Sequence, residues 1–169
     1  MGITRLEELI AWQLSVELKL EVYRIVNASP ASRDFKFRDQ LFDAASGVEM
    51  TLAEGYRRYH APQIIQFFTY SRASLEETKR WLHDGVHRGH FQAGMIQKAL
   101  RLAIRCDMAT LRFMQGLLRS VSPETRRRLT ARRVSRRQLY RMLRVLDARR
   151  RRQSNADRGS PEAPPTDRG

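Results

Sequence analysis

The sequence contains a single cysteine, Cys106, among its 169 residues. One thiol excludes an internal disulfide and any metal site built from several cysteines. The chain also has no uncharged apolar run of the roughly 18 residues that a membrane-spanning helix needs. It lacks a glycine-rich phosphate-binding loop, and it lacks the sustained apolar–polar alternation that indicates strands. These absences favour a cytoplasmic, helical protein without membrane spans.

Four stretches of helical length fill the first 120 residues, separated at proline and glycine positions. Apolar residues recur three and four positions apart in each stretch, which is the period of an amphipathic helix. Helices of similar length joined by short loops pack antiparallel. The sequence therefore predicts an all-α, antiparallel up-and-down four-helix bundle over residues 1–120, with helices at about 5–27, 35–59, 62–88 and 92–120.

Helix ends and close contacts have their own signals in the sequence. Asp34 is a candidate N-cap of the second helix, and Gly89 a candidate C′ residue of the third. Small residues fill the middle of the second helix at 44–47 and again at Gly55. Glycine costs helix stability, so we expect these positions to mark the close approach of another helix.

The first helix carries two apolar sets, which favours a helix that buries more than one side. A helix apolar on two sides is explained if one side meets the bundle core and the other meets a second subunit. The first set comprises Leu14, Leu18, Val22 and Ile25, and the second comprises Leu6, Leu9, Ile10, Trp12, Val16, Leu20, Tyr23 and Val26.

Positive charge is concentrated after the bundle. The formal net charge is +14, of which residues 1–120 contribute +4 and residues 121–169 contribute +10. Ser122, Pro123 and Glu124 form a helix-start signal, since they combine a cap, a first-turn proline and an acid at the positive end of the helix dipole. We predict a basic helical extension over 121–152 and a disordered tail over 153–169.

The arginine-rich extension is the main functional signal. Clustered guanidinium groups favour polyanions, and they bind phosphate bidentately and stack on bases. We expect nucleic-acid binding, with RNA favoured, although a solvated tail, contact with anionic lipid or docking to an acidic protein would also suit the charge. Arginine also outnumbers lysine in the bundle, so the preference for arginine is not specific to the extension. The predicted phosphate-contacting residues are Arg126, Arg127, Arg128, Arg132, Arg133, Arg136, Arg137, Arg141, Arg144, Arg149, Arg150, Arg151 and Arg152, with Arg57 and Arg58 as secondary candidates.

Other reactive side chains have simpler structural explanations. His83, His87 and His90 are spaced as on a helix, but a zinc site needs a third or fourth ligand, and histidines also suit a helix C-terminus. Glu54 and Glu77 are expected to pair with nearby arginines, and the cysteine to lie in the core. We therefore predict that the protein is not an enzyme and uses no metal or cofactor.

Several short motifs resemble those of one family. Residues 9–13 (LIAWQ), 44–46 (AAS), 53–58 (AEGYRR) and 74–77 (SLEE) resemble the helices of the "four helix bundle" proteins, also called 23S rRNA-intervening-sequence proteins. The resemblance covers roughly residues 4–120. It departs at Thr51, where the family usually has the asparagine of an Asn-Ile-Ala-Glu-Gly run.

The resemblance implies a homo-oligomer and suggests partners. Proteins of this family form ring-like homopentamers. One branch, the accessory variability determinant proteins of diversity-generating retroelements, binds a reverse transcriptase and its template RNA through a basic surface. The resemblance and the charge together predict a homopentameric nucleic-acid-binding accessory protein that acts as such an adaptor. The alternative is an oligomeric protein-interaction scaffold whose basic tail docks an acidic partner.

Overall fold

The computed structural model describes residues 5–127. The chain divides into two units, Met1–Ser122 and Pro123–Gly169. No strand occurs between residues 5 and 127, so the predicted all-α class is confirmed for that range. The first unit contains two one-turn 3-10 helices, Leu6–Glu8 and Pro30–Arg33, and four long helices: α1 (Ile10–Asn27), α2 (Phe35–Tyr56), α3 (Ala61–His87) and α4 (Gln97–Ser120).

The four helices pack in chain order around a common core. The main contacts join α1 to α2, α2 to α3, α3 to α4 and α4 to α1. This leaves α2 and α4 on one diagonal of the bundle. The Sγ of Cys106 lies 3.2 Å from the carbonyl oxygen of Ala11, while Lys98 binds Glu21, so α1 and α4 run in opposite directions. The predicted up-and-down bundle is confirmed.

Two helix ends follow the predicted local chemistry. The Asp34 carboxylate accepts a hydrogen bond from the Phe37 backbone N–H at 3.1 Å and so caps α2. Gly89 has φ +77°, a left-handed conformation that glycine adopts without steric cost. The backbone N–H groups of Gly89 and His90 then bond the carbonyls of Val86 and Gly85, which terminates α3 in a Schellman motif.

Three helix boundaries differ from the prediction. α1 begins at Ile10 instead of about residue 5, because Leu6–Glu8 form a separate 3-10 turn before it. α4 begins at Gln97 instead of residue 92, because residues 92–96 form turns that carry the chain from α3 to α4. Phe91, just before these turns, and Ile96, their last residue, are 4% and 2% exposed, so they belong to the core although they precede the helix. α2 ends at Tyr56 instead of Tyr59, where the chain turns toward α3.

The small residues of α2 lie where α3 comes closest, as predicted. A Cβ at Gly47 would lie 3.2 Å from the Ser74 hydroxyl oxygen, and one at Gly55 would lie 2.8 Å from the Phe67 Cβ. Phe68, fully buried, also approaches Gly55. A Cβ at Gly55 would force Phe67 or Phe68 to shift, whereas at Gly47 the Ser74 side chain would have to move by only a few tenths of an ångström.

The second apolar set of α1 is mostly used inside the protomer. Leu9 and Val26 are buried, and Trp12 and Val16 are half-buried. Tyr23 packs on Phe42 of α2 with ring centroids 4.4 Å apart, and its hydroxyl lies 2.9 Å from the Ser46 hydroxyl. α1 therefore packs against the core on one side and against α2 on an adjacent side. Only two members of the set are largely exposed, Ile10 (56%) and Leu20 (58%).

Thr51 does not link helices within the described part of the chain. Its hydroxyl donates to the backbone carbonyls of Gly47 and Val48, at 2.6 and 3.2 Å, in its own helix. The residue that departs from the family pattern is therefore satisfied locally.

A buried carboxylate connects α1 to α4. The Glu21 side chain is 3% exposed and accepts from Arg24 at 2.6 Å and from Lys98 at 2.9 Å. The hydrogen bond from Arg24, with the charge of both cations, holds the pKa of Glu21 below its ordinary value despite its burial.

We expect the Glu21→Gln variant to lose about 1–3 kcal/mol of unfolding free energy at neutral pH, because two charged hydrogen bonds are weakened. A carboxylate with a lowered folded pKa stabilises above its unfolded pKa and loses that contribution as pH falls through the folded pKa. In urea unfolding, the difference in unfolding free energy between the wild type and the variant should therefore narrow below pH ~4. Glu17→Gln, at an exposed position of the same helix, is the control. A difference in unfolding free energy that does not change with pH would contradict the lowered pKa of Glu21.

The second unit is described only over its first residues, where 123–127 are helical. The predicted extension beyond residue 127 and the predicted tail over 153–169 lie outside the described residues. No helix within residues 5–127 is both long and apolar enough to cross a membrane.

Candidate nucleic-acid interface

Four of the predicted arginines lie within the described range. Arg57 and Arg58 stand at the turn after α2, and both are exposed. Arg126 and Arg127 are exposed residues of the short helical segment in the second unit. The remaining predicted contacts lie outside the described residues: Arg128, Arg132, Arg133, Arg136, Arg137, Arg141, Arg144, Arg149, Arg150, Arg151 and Arg152.

Arg58 is held by its neighbours. Its Nη2 lies 2.5 Å from Glu54 Oε1, and its guanidinium carbon sits 4.7 Å from the centre of the Phe67 ring. The predicted pairing of Glu54 with a nearby arginine is therefore confirmed. Arg57 makes no ion pair with any residue between 5 and 127, and so its charge is available to a ligand.

The outer side of α4 carries a row of basic side chains. Arg101, Arg105, Arg112 and Arg119 are all exposed. At about 100° per residue these four positions fall within an arc of about 40°, and their Cα atoms span about 27 Å along the helix axis. Lys98 lies beside the row but is bound to Glu21. We call Arg101, Arg105, Arg112 and Arg119 the α4 arginine row.

Three members of the row make no ion pair within the described part of the chain: Arg101, Arg105 and Arg112. The cause lies in the position of the one acid in α4, Asp107, which points to the flank facing α3. There it binds Arg72 through two hydrogen bonds, Nε to Oδ1 at 2.5 Å and Nη2 to Oδ2 at 3.2 Å. The bidentate pair neutralises Asp107, and it leaves Arg101, Arg105 and Arg112 without a counterion among residues 5–127.

Opposite charge lies across the bundle. α4 carries a formal charge of +4, whereas α2, on the same diagonal, carries −2. Asp39, Asp43 and Glu54 are exposed on α2. A polyanion is therefore attracted to the α4 side and repelled from the α2 side.

The arginine row was not predicted from the sequence, although its signal was present. The four arginines are separated by four, seven and seven residues, a spacing that keeps them on one helix face. What the sequence does not show is which basic side chains are already paired, since that depends on contacts such as Arg72 with Asp107 between distant positions.

The histidines near the end of α3 lie at the surface or beside a helix cap, and the cysteine lies in the core. His83 and His87 are exposed, while His90 Nε2 lies 3.1 Å from the capping carboxylate of Asp34. Between residues 5 and 127, no group of three or more His, Cys, Asp or Glu side chains is placed to hold a metal ion. Cys106 is buried as predicted, and burial raises the pKa of its thiol to about 12, which leaves almost no thiolate at neutral pH.

The fold and this surface define a class: a small four-helix bundle protein with one strongly basic outer face. Residues 7–110 match the sequence model of the family described as 23S rRNA-intervening sequence protein. This match spans more than half of the chain, and the protein belongs to that family. A comparison with curated proteins finds no match.

Proposed function

We propose that this protein is a non-enzymatic, homo-oligomeric nucleic-acid-binding accessory protein, with RNA as its favoured ligand. The observation that carries the proposal is the α4 arginine row, three of whose members have no ion pair among residues 5–127. The excess charge of +10 over residues 121–169 adds to it. Arginines that lack internal counterions gain most from phosphate, because binding releases the cations condensed on the polymer.

RNA is favoured over DNA on two grounds. The description of the family refers to intervening sequences of 23S rRNA. Arginine, which prevails over lysine in this chain, also stacks on the unpaired bases that folded RNA offers.

Self-association is supported by two exposed apolar side chains of α1. Ile10 and Leu20 remain 56% and 58% exposed, although the rest of the second apolar set is buried or half-buried. Burying them would stabilise a contact between protomers. The homopentameric ring of the resembling proteins is the form that we propose.

The more specific form of the proposal is an adaptor in a diversity-generating retroelement. It rests on the resemblance to the accessory branch and on the basic charge of the chain. We expect a retroelement reverse transcriptase to co-purify with this protein in an RNA-dependent manner. Co-purification that survives ribonuclease would instead indicate direct protein contact, and none at all would contradict the adaptor role.

The first test measures mass by light scattering, with and without a structured RNA, at low and at high salt. We expect a mass near five times the 19.8 kDa protomer, and RNA that binds at low salt and dissociates at high salt. Each phosphate neutralised should lower the logarithm of affinity by about 0.7 to 0.9 per tenfold rise in salt. A monomer indifferent to RNA would contradict the proposal and favour a scaffold whose tail docks an acidic protein.

Removing residues 121–169 tests how much of the RNA affinity comes from the tail and how much from the bundle. We expect the truncated protein to keep its helical circular dichroism signal and to lose most of its affinity for RNA, because the deleted segment carries +10 of the +14 net charge. The affinity that remains should depend on the α4 arginine row. Full affinity in the truncated protein would refute the assignment of the tail arginines.

A further inference from the structure

The turn between α2 and α3 presents an aromatic side chain almost entirely to solvent. Tyr59 is 97% exposed, the highest value among the large apolar side chains of the described range. It makes no hydrogen bond with any residue between 5 and 127. Burial of a tyrosine ring is a main source of its stabilising effect, and Tyr59 has none. Its side chain therefore contributes little to folding, and its ring is accessible to a ligand.

The residues around Tyr59 are basic and aromatic. Arg57 precedes it and lacks an ion pair within the described chain, while Arg58 lies over the Phe67 ring. The Phe67 ring in turn meets the ring of Tyr70 edge to face, with centroids 5.9 Å apart, and Tyr70 is 45% exposed. We call these five residues, Arg57, Arg58, Tyr59, Phe67 and Tyr70, the turn cluster. The acid beside it, Glu54, is neutralised by Arg58.

This composition matches one class of ligand. Proteins that bind single-stranded nucleic acid combine cationic side chains for the backbone with aromatic rings on which bases stack. A duplex keeps its bases stacked on each other and offers no free base face to a tyrosine ring. Resting on the proposed function, we infer that the turn cluster binds unpaired nucleotides of RNA, with Tyr59 stacking on a base and Arg57 contacting phosphate.

The position of the turn cluster supports separate roles for this cluster and for the α4 arginine row. Phe68 of α3 stacks on Phe113 of α4 at 5.2 Å, and Arg72 binds Asp107, so the two helices run in opposite directions. The turn before α3 therefore lies at the end of the bundle toward which α4 runs. The α4 arginine row leads toward this end and is suited to the phosphates of either paired or unpaired RNA.

The test compares two labelled probes by fluorescence anisotropy on the full-length protein: an oligouridine strand and an RNA duplex of equal length. We expect Tyr59→Ala to weaken binding of oligouridine by roughly 5- to 150-fold, the range for loss of one base-stacking ring, and to change duplex affinity by less than about twofold. Tyr59→Phe should keep most of the affinity for oligouridine, because the stacking face remains. The variants should fold normally, since Tyr59 is exposed.

Phe35→Ala is the matched control. Phe35 is an exposed ring (65%) beside an arginine, with the Arg38 guanidinium carbon 4.8 Å from its centre, but it begins α2 at the other end of the bundle. We expect neither probe to bind this variant differently. An equal loss in both variants would show that any exposed ring contributes, and would overturn the assignment to the turn cluster.

The remaining outcomes separate this inference from the proposed function. If neutralising the α4 arginine row weakens both probes while Tyr59→Ala changes neither, the proposed function stands and the turn cluster is not a base-stacking site. A loss of equal size for oligouridine and duplex in Tyr59→Ala would also overturn it, because stacking on a free base cannot act on a duplex. If neither probe binds the wild type, both proposals fail.

Discussion

Replacing three arginines of α4 with glutamine should weaken RNA binding by roughly 100- to 1000-fold, if each loses about 1 kcal/mol of hydrogen bonding to phosphate. The variant is Arg101→Gln, Arg105→Gln and Arg112→Gln in one chain. All three side chains are exposed and make no ion pair with the described residues, so the bundle itself should be unaffected. The salt dependence should become shallower by about 2 to 3 in log–log slope. Anisotropy titrations at several salt concentrations measure both quantities.

The control variant removes the same amount of charge elsewhere. Arg33, Lys36 and Arg80 are exposed cations outside α4, and their replacement by glutamine also lowers the net charge by three. Only the general attraction to a polyanion should fall, by much less than in the α4 variant. Equal losses in the two variants would mean that the protein binds RNA through its overall charge and not through the row.

Gly85→Ala should lower the unfolding free energy by about 2–3 kcal/mol, the upper part of the range for overpacking a core. A Cβ at this position would lie 2.3 Å from Cε2 of Phe91 and 2.8 Å from Cζ of Phe37. Both rings are buried, at 4% and 1% exposure, and cannot swing into solvent. Urea unfolding followed by circular dichroism measures the change.

Gly116→Ala makes the same substitution where there is room. Nothing lies within 4 Å of a Cβ built at Gly116, which is an exposed residue inside α4. Because alanine favours helix over glycine, this variant should gain up to about 1 kcal/mol. Opposite signs for the two variants would confirm that Gly85 is required by packing. A stabilised Gly85→Ala variant would mean that Phe91 or Phe37 can move.

Most of the fold was predictable because local signals agree with one another. The apolar spacing, the cap at Asp34 and the left-handed Gly89 each define a helix or its end within a few residues of sequence. The start of α4 was not predictable in this way. Phe91 and Ile96 are apolar and suit a helical period, but they pack into the core from the turns that cross between helices. Periodicity alone does not distinguish a residue that is buried from within a helix from one that is buried from a turn.

The candidate site was predictable only in part. The positions of Arg101, Arg105, Arg112 and Arg119 on one face follow from their spacing alone. The absence of an ion pair for Arg101, Arg105 and Arg112 among residues 5–127 does not, because it depends on the contact of Asp107 with Arg72 of α3. The second apolar set of α1 shows the same limit. Its spacing is amphipathic, but whether it meets α2 or another protomer is decided by tertiary packing.

The opposite charges of α2 and α4 give the bundle a dipole moment across its long axis. In the field of a nucleic acid such a molecule experiences a torque that turns α4 toward the phosphates before any contact forms. Fewer encounters are then wasted in unproductive orientations, and association can exceed the rate expected for a neutral protein of the same size. Salt shortens the range of this torque to about 10 Å at 0.1 M. Rising salt should therefore slow the association of the bundle with a nucleic acid, and it should also shorten the lifetime of the complex.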